Sequence, residues 1–148
     1  MYEVITGLVT KYVVETRKQR LELTATSVVN ENENKGVIRK LQDAVCISGI
    51  DDFGRRYSSR NMLKDVYSDV LKIDREFLSE TENAVRSRDI LEEIIRLSNR
   101  MNMTVITEGV ETKEQVEMLT DMGCRVFQGF YFSKPISIQE FEDKYKVV

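Results

Sequence analysis

Glu22, Asp51, Asp52, Lys72, Asp74, Glu108 and Gln128 recur along this sequence in a pattern that suits catalysis or metal binding. Each lies at or just beyond a short apolar or alternating segment of the kind that forms a β-strand. Several carboxylates facing one cavity repel one another and raise their own pKa values unless a cation sits among them. Oxygen donors without histidine or thiolate select Mg²⁺ or Mn²⁺ over zinc. An adjacent pair such as Asp51-Asp52 can hold two ions about 4 Å apart around a shared oxygen, which suits phosphodiester hydrolysis. Lys72 would be the cation of that pocket, able to orient water or stabilise phosphate oxygens. Taken singly, a carboxylate at a strand end is more often a helix cap or a solvated loop charge, and Lys72 could be a structural salt bridge. Recurrence at every strand end favours a site.

Composition narrows the chemistry further. The sequence contains no histidine, which removes Ser-His-Asp and Cys-His catalysis and histidine metal ligation together. Catalysis would have to run on carboxylates, lysine and metal. A net charge of -3 offers no polycationic surface, so nucleic acid is not an expected partner. No apolar run approaches the roughly 20 residues of a membrane span, and the expected location is cytoplasmic. Cys46 and Cys124 lack close Cys or His neighbours and read as buried free thiols.

Helices and strands that would carry these residues alternate along the chain. Apolar residues at helical spacing predict a helix over 2–17, and Arg20 to Thr24 then switches to strand alternation, with Glu22 opposite Leu21 and Leu23. A polar loop at 30–34 and a helix over 35–44 lead to a strand over Val45 to Ile50, which delivers Asp51 and Asp52 at its end. A helix from Ser58 or Ser59 to Val66 precedes a strand over Val70 to Ile73. A long amphipathic helix over Ser87 to Met101 precedes the strand Met103 to Thr107. Thr112 caps the next helix, which ends at Gly123. A strand over Arg125 to Gln128 and a helix over Ser137 to Tyr145 complete the pattern.

One helix followed by about five strand-helix units implies parallel strands with right-handed crossovers. The fold class is therefore α/β, an incomplete TIM-like (β/α) barrel. Residues 1–148 read as a single partial domain, since a full barrel takes about 250 residues.

The residues also carry a resemblance. Glu22-Leu-Thr, Ile50-Asp-Asp-Phe-Gly, Tyr57-Ser-Ser, Leu71-Lys-Ile-Asp, Glu108-Gly-Val-Glu-Thr and Gln128-Gly-Phe-Tyr-Phe-Ser-Lys-Pro135 resemble the EAL domain, in order, from about Leu21 to Tyr145. That resemblance implies a TIM-like barrel hydrolysing cyclic di-GMP to linear pGpG with Mg or Mn. It would make Glu22, Asp51 and Asp52 metal ligands, and Glu108 and Lys72 the water-activating and phosphate-facing groups. Gln128 would floor the site, with Glu111 and Asp74 supporting it.

This sequence departs from the family pattern in four places. The name-giving Glu-Ala-Leu motif and the asparagine of the next strand, both metal ligands in the family, have no counterpart in these 148 residues. Ala25 stands where the family has glutamate and Arg56 where it has glycine, so the loop after Asp52 is expected to be rearranged. With fewer ligands, metal affinity should fall, because ligand number and charge set it for hard cations. The chain alone is therefore expected to be inactive toward cyclic di-GMP. The alternative is a non-catalytic EAL-like module that binds the dinucleotide or a protein. Expected partners are cyclic di-GMP, a missing N-terminal barrel half or a partner protein. A second copy pairing along the open edge at Leu21 to Leu23 would make a homo-oligomer.

Overall fold

The four-residue segment Val-Leu-Lys-Ile at 70–73 is buried throughout, as a parallel strand covered on both faces must be. It is the middle of a five-stranded sheet in a computed structural model that describes residues 20–24, 47–54, 68–79 and 83–146. The strands are β1 (Arg20–Thr24), β2 (Ile47–Phe53), β3 (Val70–Ile73), β4 (Thr104–Thr107) and β5 (Val126–Phe127). Each pairs in parallel with its neighbour in sequence, giving the order β1-β2-β3-β4-β5. A sheet built this way is an arc of a (β/α) barrel, since sequential parallel strands need a crossover between each pair. The fold is the expected α/β one, and it covers part of a barrel. The helices expected over 2–17, 35–44 and 58–66 lie outside the described residues, as do Ala25, Cys46 and Arg56.

Strand β2 runs further than the sequence suggests, reaching Phe53 and taking Asp51 and Asp52 into its last residues. Its register with β3 slips between Ile50 and Phe53, and Asp52 adopts φ 56, a left-handed conformation that aspartate tolerates better than most residues. Periodicity gives no sign of such a bulge. A 3-10 turn over Arg75–Leu78, also absent from the sequence reading, follows β3.

Among the described residues three helices pack this arc or extend it: α1 (Ala84–Arg100), α2 (Lys113–Asp121) and α3 (Ile138–Tyr145). Helix α1 buries Leu91, Ile95 and Ser98, a stripe spaced 4 and 3 apart that faces β4. Full burial of Leu91 and Ile95 stabilises the fold by about 1.5–3 kcal/mol each. They join Ile50, Leu71, Ile73, Val105, Val110 and Leu119 in one core. Both α2 and α3 open with capping boxes, Thr112 with Gln115 and Ser137 with Glu140. Cys124 is a buried free thiol, 3.3 Å from the Thr107 hydroxyl.

Candidate functional site

Lys72 is the middle of the site because β3 is the middle of the sheet. Its side chain is 11% exposed, and a buried ammonium is tolerated only where it is paired and hydrogen-bonded. Three carboxylates meet it: Glu108 Oε1 at 2.7 Å, Glu22 Oε2 at 3.1 Å and Asp51 Oδ1 at 3.2 Å. They come from β1, β2 and the residue directly after β4, so three elements separated along the chain converge on one nitrogen. Burial is the largest influence on this ammonium and pushes its pKa down. The hydrogen bonds to Glu108, Glu22 and Asp51, with the charge of Glu108, more than offset it and leave the value raised.

Backbone ladder bonds fix the strand ends around the cluster. Glu108 N donates to Ile73 O at 3.0 Å, Asp74 N to Phe53 O at 3.1 Å and Gln128 N to Thr107 O at 2.9 Å, so pairing continues one residue past each strand end. Asp51 Oδ1 accepts the backbone N–H of Asp52 at 3.0 Å as well as the ammonium. The bulge at Asp52 thereby aims the Asp51 carboxylate.

The remaining expected residues take different places. Asp74 is buried and its Oδ1 accepts the N–H of Glu76 at 2.8 Å, so it caps the 3-10 turn at the edge of the site. Glu111 is exposed, and its N–H donates to Gln115 Oε1 at 2.7 Å. Gln128 is exposed, with its carbonyl accepting from Val110 N at 3.1 Å. Among the described residues, neither Glu111 nor Gln128 forms an ion pair or hydrogen bond with Lys72 and its three partners.

Two glycines that the sequence reading left without a role shape the rim. Gly109 has φ 68, and a Cβ there would run into Cβ of Arg75. Gly129 lies so close to the backbone of Val110 that a Cβ would overlap its carbonyl oxygen. Glycine is needed at both places, for backbone angle at Gly109 and for close approach at Gly129. The loops after β3, β4 and β5 thus press on one another around the cluster. A glycine directly after a strand-end acid, as in Glu108-Gly109, is the signal that could have pointed to this.

The donors suit a hard divalent cation in chemical type, being carboxylate oxygens. Their spacing is set by Lys72: among the described residues no three carboxylates form a cluster that could hold an ion by themselves.

The chain is similar to known proteins in sequence and in fold. The family model described as the EAL domain matches residues 1–135. The cyclic di-GMP phosphodiesterase NbdA of Pseudomonas aeruginosa is 32% identical over 83% of this chain. The solved MucR phosphodiesterase, a c-di-GMP complex, superposes with a TM-score of 0.85 at 29% identity, over 94% of this chain and 57% of that one. A manganese and cyclic di-GMP complex of BlrP1 from Klebsiella pneumoniae gives 0.79 at 28% identity, over 89% of this chain and 34% of that one. The chain spans only 17% and 16% of the curated relatives YkoW, from Bacillus subtilis, and NbdA.

Proposed function

The chain belongs to the EAL domain family, and from that premise we propose that its Lys72-centred carboxylate cluster is a cyclic di-GMP site. The observation that carries this reading is the convergence of Glu22, Asp51 and Glu108 on Lys72 at the carboxyl ends of parallel strands, where barrel folds place their chemistry. NbdA and MucR are by name phosphodiesterases, and the MucR and BlrP1 structures hold the dinucleotide.

By family resemblance Glu22, Asp51 and Asp52 correspond to ligands of Mg²⁺ or Mn²⁺ and Gln128 to the floor of the site; as placed here the three acids do not by themselves form a cluster that could hold an ion. A bound divalent ion supplies charge to a phosphodiester oxygen and acidifies water. Glu108 is the base that takes the proton from the attacking water, and Lys72, kept charged by three carboxylates, holds Glu108 in place and faces the phosphate. Opening one ring ester in this way would give linear pGpG. Asp74 and Glu111 support the surrounding turns.

Turnover by the 148-residue chain alone is expected to be at background. Three of its carboxylates are engaged by one ammonium, and a cluster of them able to hold an ion is lacking among the described residues. Ala25 and Arg56 add to that expectation from sequence. The same observations favour a second reading, a non-catalytic module that binds cyclic di-GMP in signalling. Incubation with cyclic di-GMP and Mn²⁺, followed chromatographically, tests the two. No pGpG from a chain that binds the dinucleotide fits the proposal, whereas enzyme-like turnover contradicts the inactivity and absence of binding contradicts the site.

A further inference from the structure

Apart from a bound ion and the shared ammonium of Lys72, the side chains of the cluster offer a phosphate no cation of its own. Glu22, Asp51 and Glu108 carry three negative charges against the single positive charge of Lys72, and that ammonium is already within 3.2 Å of all three. An approaching phosphodiester therefore meets net negative charge. It needs a cation that the carboxylates have not taken.

Arg75 is placed to be that cation. It lies three residues beyond Lys72, at the start of the 3-10 turn Arg75–Leu78. Its Cβ and Cδ lie against Gly109, the residue after Glu108, so its stem crosses the turn that aims Glu108 at Lys72. Its side chain is exposed and makes no ion pair with any described residue. Lys134, another cation following β5, lies 6.0 Å over the ring of Phe130. Glycine at position 109 is what lets an arginine lie here at all.

We infer that Arg75 is a ligand-binding residue of this site, its guanidinium fork meeting a phosphate of the cyclic dinucleotide at the rim above Glu108 and Lys72. The inference rests on the reading of the cluster as a cyclic di-GMP site. A planar fork matches two phosphate oxygens at once, which an ammonium does not.

Titration calorimetry of the full chain with cyclic di-GMP, in Ca²⁺ and at two salt concentrations, tests it with Arg75→Ala and Arg75→Lys. Arg75→Ala keeps the Cβ that packs on Gly109, so the rim is left in place. The expected result is a loss of affinity of about tenfold to a hundredfold in Arg75→Ala, with partial recovery in Arg75→Lys. The salt dependence should also be shallower in Arg75→Ala, because one phosphate contact is gone. Wild-type binding with Arg75→Ala within twofold of it, at the same salt dependence, overturns the role of Arg75 and leaves the site reading standing. A folded wild-type chain that does not bind overturns the site reading, and this inference with it.

Discussion

The ammonium of Lys72 lies 2.7 Å from Oε1 of Glu108, the shortest of its three ion pairs. The pair joins the centre of β3 to the first residue after β4, across strands whose register sets Lys72 beside Ile106. It makes one lysine the common counterion of carboxylates that would otherwise repel one another. Removing that lysine should therefore cost more than removing any one acid. Lys72→Met keeps the stem and deletes the charge, and is expected to lower unfolding free energy by about 1–3 kcal/mol at neutral pH. The range is set below that of a fully buried pair because the partners are partly exposed. Urea unfolding of Lys72→Met beside the wild type at pH 7 checks it.

Alkaline pH should weaken the same link. The folded pKa of Lys72 is raised above the ordinary 10.5, so the folded state binds this proton more tightly than the unfolded one. Its contribution is complete below about pH 10.5 and is lost as pH rises through the folded value. Wild-type and Lys72→Met stabilities should accordingly converge in strong alkali; parallel curves up to that range would break the linkage.

Gly109→Ala and Gly129→Ala each place a methyl group against a neighbouring loop. Both variants should lose about 1–3 kcal/mol, by positive φ at Gly109 and by overlap with the Val110 backbone at Gly129. Adding Arg75→Gly should restore part of the loss at position 109 and none at 129. Thermal melts of the single and double variants measure this.

Helix α3 should fray in acid. The carboxylate of Glu140 accepts hydrogen bonds from Ser137 N and Oγ, both at 2.8 Å, and the backbone bond then the hydroxyl bond lower its pKa below the ordinary 4.5. A lowered folded value means this cap is present above about pH 4.5 and lost as pH falls through the folded value. Amide exchange at Phe141, whose N–H donates to Ser137 O, should accelerate over that window, and Glu140→Gln should remove the pH dependence.

Much of this was legible in the sequence because it is written in periodicity and caps. Val70–Ile73 matches the expected strand residue for residue, and Thr112 and Ser137 announce their helices by the residue three places on. The sequence places residues of all five strand ends in one site; Glu22, Asp51, Lys72 and Glu108 meet, while Gln128 at the fifth makes no ion pair or hydrogen bond with them among the described residues. The rest depends on geometry that spacing does not encode. Nothing in Ile50-Asp-Asp-Phe distinguishes a strand that stops at Ile50 from one that bulges at Asp52 and carries both acids inside it. Nor does sequence tell that Lys72 binds three acids at once, or that Gly109 presses on Arg75, because both are contacts between separate strands and turns.

Calorimetric titration of cyclic di-GMP into the full chain with Mn²⁺ decides whether the Lys72 cluster binds the dinucleotide. Saturable, single-site binding that Lys72→Met weakens at least tenfold is the expected result. A folded chain giving no binding heat at several temperatures, or a Lys72→Met variant binding as tightly as the wild type, would contradict it.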